Sequence, residues 1–448
     1  MQNRPTAILV VMCAGMFLVL LDVTVVNVAL PSIGTDVGAD AAATQWIVDA
    51  YAVAIAALLL ASGTLGDRVG HRRVVVAGLV VFGAASAACG LAPSTGVLIA
   101  ARAAQGVGAA LLLPGTLAVV TDTFPDRGAR ARALGIWAGV SSLALPAGPL
   151  LGGGLVSAAG WRWVFLVNLP VVAAAVVAVL RLVPTGKRRP ERRADLPGTA
   201  LAAAGLGAAV FAVIDVGHHG FQAAGITALI VALGCATGFV LREGRADDPM
   251  VPLGVLRRPS FAGPNVAAGT MNLVLNGFLF VTTLFLQHVL HADPLAAGIA
   301  LLPMFVPLAV LAPVAGRATA RWGARPPLVV GALVAAAGAA WFVRVDPGSG
   351  YAVLLPALLG LGIGAGLFTA PVVSAAVSAV PPDRSGLASG ITNTARQAGT
   401  ALGVAVFGAV AAATAPAPQF VQGLHVLAVV GAVAWLAVAG LVAVTVRR

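Results

Sequence analysis

Charge is what this chain of 448 residues lacks most. Only 10% of its residues are Asp, Glu, Lys or Arg, against 59% that are hydrophobic. A water-soluble domain has too little interior to hide that much apolar surface, so a lipid bilayer is the solvent that remains. Cysteine is scarce too: the three present, Cys13, Cys89 and Cys235, all fall inside apolar runs. That excludes a disulfide framework, and with no CxxC or Cys/His cluster no metal site is expected. There is no HExxH, no GxSxG and no paired acid and histidine, which argues against an intramembrane enzyme. Ten-residue stretches of alternating polarity, the mark of a membrane barrel, are also missing, so every span is expected to be helical.

What is present is length without charge. Fourteen stretches are long enough to cross a bilayer as helices: 6–30, 45–65, 73–92, 96–120, 131–156, 162–183, 197–215, 224–241, 262–288, 296–316, 327–344, 351–375, 385–412 and 424–446. The inserted pair 197–215 and 224–241, each about 18 residues, sits near the lower limit for crossing. The first stretch is too long for a signal-peptide core and no cleavage pattern follows it, so it is expected to be retained.

The formal charge of +11 comes from 27 Lys and Arg against 16 Asp and Glu. Its distribution argues against a nucleic-acid partner. With the N-terminus inside, nearly all basic residues fall in cytoplasmic loops or tails; Arg162 and Arg344 lie at the outer side, and Arg102 and Arg396 lie within spans. This asymmetry places both termini in the cytoplasm. The run KRRPERR, residues 187–193, reads as a topology determinant in contact with anionic lipid heads.

The chain repeats itself. GTLGDRVGHRR (63–73) returns in outline as GRATARWGARP (316–326), with Gly63, Arg68, Gly70 and Arg72 matching Gly316, Arg321, Gly323 and Arg325. A second echo pairs Pro125-Asp126-Arg127 with Pro382-Asp383-Arg384. The first six spans thus correspond to the last six, with two left over between them. The expected fold is an all-α integral membrane protein of two six-helix bundles plus two central helices. The expected units are an N-terminal bundle (1–183), a basic linker (184–196), the two inserted helices (197–241), a second linker (242–261) and a C-terminal bundle (262–448). Paired halves of this kind often build a transporter around a central site.

Polar residues inside spans each need a reason. At 1.5 Å per residue, Asp22 and Arg102 lie at roughly 12 and 9 Å below the outer ends of their spans. They could meet across the bundle, either as a fixed ion pair or facing a wet cavity. Burial and a neighbouring guanidinium act in opposite directions on a carboxyl's hold on its proton, so Asp22 is the leading proton site. Asp49 is the second; it lies nearer the surface, where solvation is an equal reading. Asn265, Asn272, Asn276, Thr283 and Gln287 share one helical face. Asn393, Arg396, Gln397 and Thr400 repeat the theme. Such a face suits a substrate passage or interhelical hydrogen bonds. Candidate cavity residues are Asn27, Gln105, Asn272, Asn276, Asn393, Arg396 and Gln397. Asp215, at the end of its span, stands beside His218 and His219, which read as solvated. Gly63, Asp67, Arg68, Gly70 and Arg72 form a charged loop able to make alternative contacts in two conformations. Pro146, Gly148, Pro149, Gly152 and Gly153 bend the fifth span and expose its backbone.

These residues together resemble the major facilitator superfamily. GTLGDRVGHRR resembles its loop signature, departing at His71, and RAAQGVGAA (102–110) its fourth-span signature. Gly148-Pro149 with Gly152-Gly153 resembles its antiporter signature, although Ala144 replaces the usual leading glycine and Pro146 is unusual. LDVTVVNVALP (21–31), WRWVFLVNLP (161–170) and NTARQAG (393–399) are similar to sequences of the fourteen-span drug:proton antiporter branch. The resemblance implies proton-driven efflux of amphipathic small molecules by alternating access. It implies proton coupling through Asp22 and Arg102, a latch at Gly63, Asp67, Arg68, Gly70 and Arg72, and an antiporter bend at Gly148, Pro149, Gly152 and Gly153. Ala320 stands where the first loop copy has Asp67, so the latch is expected to be asymmetric. No cofactor is expected beyond protons as the coupling ion, and the partners would be a lipophilic or cationic substrate and membrane lipids, with the protein a monomer. A dedicated exporter of one metabolite and a proton-coupled importer remain open alternatives. A sensor is disfavoured, since no loop could house a signalling module.

Overall fold

The computed structural model describes residues 4–185, 195–246, 251, 253–381, 385–411 and 416–446. The basic run 187–193, most of the first expected linker and the echo Pro382-Asp383-Arg384 lie outside those residues. Within them the chain is helical, with no strand. In order the helices are α1 (Arg4–Val37), α2 (Ala41–Val69), α3 (His71–Gly90), α4 (Thr95–Thr123), α5 (Arg127–Ala159), α6 (Arg162–Leu166), α7 (Asn168–Leu182), α8 (Leu196–His219) and α9 (Ala223–Glu243). There follow α10 (Leu253–Leu256), α11 (Pro259–Leu284), α12 (Pro294–Ala300), α13 (Leu302–Trp322), α14 (Arg325–Trp341), α15 (Tyr351–Ser378), α16 (Ser385–Val410) and α17 (Ala417–Thr445).

Twelve helices among the described residues are long and apolar enough to cross a membrane. Two expected spans fall outside that set. α5 is 33 residues long and opens on a basic turn with Arg127 and Arg130, and among the described residues it holds the apolar stretch Leu143–Ala159. α16 carries the polar face Thr392, Asn393, Arg396, Gln397 and Thr400. The expected span 296–316 is also divided: α12 ends at Ala300 and α13 runs on to Trp322.

The two motif loops fold alike. Each ends its helix on a glycine with positive φ, +98° at Gly70 and +82° at Gly323, a conformation side chains with a Cβ rarely adopt. Helix packing repeats as well. A Cβ at Gly106 of α4 would lie 2.5 Å from the Tyr51 carbonyl oxygen of α2, and one at Gly362 of α15 would strike the Met304 carbonyl of α13. Small residues let these backbones touch where lipid supplies no hydrophobic drive between helices. Asp40, Asp126, Asp195 and Asp293 each cap a helix N-terminus with a carboxylate accepting a backbone N–H.

The first and second sets of helices meet along two seams, one of them at the end of the bundle opposite the termini. There Gln287, in a π-helical turn at Phe285–Val289, donates to the Val28 carbonyl of α1 at 2.9 Å. Gly298 of α12 lies against the Pro149 carbonyl of α5, and a Cβ at Gly153 would lie 2.5 Å from the Pro294 carbonyl oxygen. A second seam, between α2 and α16, is closed along its length, with Gln45 against Gly408 at one end and Leu60 against Gly390 at the other. The inserted α8 lies over this seam. Val210 and Ile214 pack with Ala52 of α2 and with Ala401 and Ala405 of α16.

Candidate functional site

The centre of the first bundle is a polar network built from five helices. Asp22 of α1 and Arg102 of α4 form an ion pair through Arg102 Nη1, each residue 1% exposed. Gln105, one turn beyond Arg102, completes it. Its Nε2 donates to Asp22 Oδ1 at 2.8 Å and to Ser86 Oγ of α3 at 3.0 Å. Its Oε1 accepts from Arg102 Nη1 at 2.6 Å and from the Cys89 thiol at 3.7 Å. Arg102 Nε donates to the Ile47 carbonyl of α2 at 2.9 Å. Its guanidinium carbon lies 4.3 Å from the Tyr51 ring centroid, a cation–π contact, and Tyr51 itself donates to the Val19 carbonyl at 3.0 Å. Asn168 of α7 reaches Ser86 at 3.4 Å.

This arrangement has a plain electrostatic logic. Either ion alone in the dry interior would cost several kcal/mol. Together, with Arg102 Nε bonded to the Ile47 carbonyl and with Arg102 Nη1 and Asp22 Oδ1 bonded to Gln105, they form a net-neutral unit. In this conformation the unit is sealed from solvent, so Asp22 exchanges a proton only if helices part. The matching depths of Asp22 and Arg102 anticipated the meeting. Gln105, expected in a substrate cavity, instead belongs to the ion pair; its i+3 spacing from Arg102 was the signal. Tyr51, Ser86, Cys89 and Asn168 were not singled out, because their role depends on which faces of α2, α3 and α7 turn inward.

The other candidates fall into distinct settings. Asp49 is fully buried, and among the described residues neither carboxylate oxygen has a hydrogen-bond partner, so the solvated reading of this residue is set aside. Gln45, one turn earlier on the same face, is equally buried and unpartnered. Asn27 is buried and donates to the Val23 carbonyl at 2.7 Å.

On α11 the amides turn back on their own helix: Asn265, Asn272 and Asn276 donate to the carbonyls four residues earlier. Two also reach α16, where Thr392 donates to Asn265 Oδ1 at 2.8 Å and Asn276 donates to Thr400 Oγ1 at 3.2 Å. The polar face thus serves helix pairing along much of its length. Asn393 is exposed, and Arg396 and Gln397 are half-buried, which leaves these three the more accessible members. Arg396 Nε is buried without a partner.

The motif loop is held within its own bundle. Arg72 Nη2 donates to the Leu180 carbonyl of α7 at 2.5 Å, and Asp67 lies 3.5 Å from His71. Arg68 is exposed and Gly63 is half-buried with open space where a Cβ would point. The bend residues divide their work: Gly148 and Gly152 abut Thr24 and Val25 of α1, while Pro149 and Gly153 abut α12. At the end of α8, His219 Nδ1 lies 3.1 Å from Asp215 Oδ1, so this histidine has a carboxylate partner rather than water alone.

Comparison with known proteins agrees with this construction. The sequence profile of the Major Facilitator Superfamily matches residues 12–404. The multidrug resistance protein Stp of Mycobacterium tuberculosis is 38% identical over 402 residues, 89% of this chain and 74% of that protein. The puromycin resistance protein pur8 of Streptomyces alboniger is 38% identical over 408 residues, 90% of this chain and 81% of the relative. A crystal structure of an auto-inhibited peptide transporter of the POT family superposes with a TM-score of 0.71 at 18% identity, covering 100% of this chain and 98% of that one, a likeness of fold alone. By profile, relatives and fold, this chain is a multi-pass membrane protein that belongs to the Major Facilitator Superfamily.

Proposed function

We propose that this protein is a proton-coupled efflux transporter that exports amphipathic small molecules across the cell membrane by alternating access. The observation that carries the reading is the sealed Asp22–Arg102–Gln105 unit inside one of two bundles, which meet at the end opposite the termini and along the α2–α16 seam. An ion pair that must be opened to exchange a proton is a suitable coupling element, because opening it requires the helices around it to move. The relatives named for resistance to antibiotics and drugs support the outward direction. We place both termini in the cytoplasm and read α5 and α16 as spans, giving fourteen. The conformation described is then inward-facing, with its outer end shut by Gln287–Val28 and by the contacts of Gly298 and Gly153. In this reading Asn393, Arg396 and Gln397 face the substrate, and lipophilic or cationic compounds are the expected cargo. The bundles are residues 1–183 and 262–448, and the protein works as a monomer.

A second reading, export of one dedicated compound, is favoured by the puromycin resistance relative, whose name carries a single drug. Transport in proteoliposomes under an imposed pH gradient, with a panel of lipophilic cations and neutral drugs, separates the two by breadth. Asp22→Asn is expected to abolish proton-driven flux. Undiminished flux in that variant removes Asp22 from the mechanism, and accumulation in the direction of proton flow replaces export by import.

A further inference from the structure

Asp49 lies apart from the central ion pair, and its surroundings are set by the inserted hairpin. On α2, Gln45, Trp46, Ala52 and Val53 stand three or four residues from Asp49 and so flank it on the same helical face. Of these, Ala52 packs in a cluster with Val210 and Ile214 of α8 and with Ala401 and Ala405 of α16, and Trp46 and Val53 border it. Gln45 faces Gly408 of α16. The carboxyl group is therefore held where one helix from each bundle and one inserted helix converge. Val210 and Ile214 are 0% and 2% exposed.

Among the described residues no charged group compensates it there. Arg102 approaches α2 from the α4 side and is engaged by Asp22 and the Ile47 carbonyl. Arg396 sits between Thr392 and Thr400 at i±4, on the face of α16 that bonds to α11. Asp215 of α8 is turned to His219, with its other oxygen beside Gly225 of α9. An ionised carboxylate enclosed by apolar side chains without a partner is too costly to persist and takes up a proton instead.

We propose that the inserted hairpin turns Asp49 into a proton-exchange site in the seam between the two bundles, separate from the Asp22–Arg102 pair. With the seam closed, α8 and α16 keep the group as the neutral acid. When α2 and α16 part during the transport cycle, water reaches the O–H, and the proton passes to water and leaves the carboxylate behind. Reclosure of the seam requires a proton to be taken up again. This assignment rests on the alternating-access reading above, and it gives the two extra helices a part in coupling.

The test is infrared difference spectroscopy of the purified, lipid-reconstituted protein across a pH titration, reading the carbonyl stretch of protonated carboxyl groups. The wild type should show this band at neutral pH. Asp49→Asn should lose it, and Asp22→Asn should keep it. Val210→Thr and Ile214→Thr, which place a hydroxyl beside the group, should lose the band at least about one pH unit below the wild type, and should have no effect in an Asp49→Asn background. A neutral-pH band that survives Asp49→Asn, or hairpin variants that leave its titration unmoved, overturns the proposal. The reading that underlies it fails separately, by absence of pH-driven flux in wild-type proteoliposomes, which the spectra do not measure.

Discussion

Removing both members of the Asp22–Arg102 pair should cost clearly less than the two single losses summed. Arg102→Ala leaves the Asp22 carboxylate 1% exposed with only Gln105 Nε2 still bonded to it, and it also deletes the donor to the Ile47 carbonyl and the cation–π contact with Tyr51 at 4.3 Å. Stranding a buried charge in this way costs about 3–5 kcal/mol, and the lost contact with the aromatic ring adds about 0.5–2 kcal/mol. Asp22→Asn strands the guanidinium instead, though its bonds to Gln105 and Ile47 remain, so its cost should fall at the lower end of that range. The neutral double variant, Asp22→Asn with Arg102→Ala, leaves no uncompensated ion. It should recover about 2–3 kcal/mol of the summed single losses, a coupling of the size seen for residues in one network. Equilibrium unfolding in mixed micelles, followed by tryptophan fluorescence, gives all four free energies of the cycle. The double variant should lose less than the sum of the singles and be inactive in transport. Additive losses, or a single Arg102→Ala loss under about 1 kcal/mol, would refute the view that the pair is a mutually dependent buried unit.

Three further outcomes follow from contacts between and within the bundles. Gln287→Ala removes one hydrogen bond across the outer end, worth about 0.5–1.5 kcal/mol, so spin-label distances between α1 and α11 should show an outward-open population enriched several-fold. Gly298→Leu forces side-chain atoms into the Pro149 carbonyl and should part the same end more strongly, exposing a cysteine placed at Val28 to aqueous reagents; unchanged labelling would show that α12 does not form the seal. Asp36→Asn breaks the exposed pair with Arg162, whose side chains are 47% and 43% exposed respectively. Its loss should stay under about 1 kcal/mol in the same unfolding assay, in contrast to the buried pair.

Much of the architecture was legible because the bilayer leaves few choices. Long apolar runs must be helices, and the repeated loop marked the two halves before any packing was known. The paired depths of Asp22 and Arg102 were enough to bring them together. What the sequence did not disclose is where side chains turn. Gln105 has the composition of a cavity residue, and only the rotation of α4 shows it bonding to Asp22 and Ser86. The amides of α11 look like a continuous passage until their donors are seen to return to carbonyls four residues back. Asp49 reads as a near-surface acid because distance along α2 is visible in the sequence, whereas the covering of that face by α8 and α16 is not.

The fifth helix has one further consequence. Gly152 touches Val25, and Val25 stands within a single helical turn of Asp22, while the neighbouring Gly153 touches α12. Adjacent residues of one helix therefore bear on α12 and on the stretch of α1 that carries the acid. Under the proposed alternating-access cycle, a displacement of α12 is transmitted to that stretch through a single turn of α5.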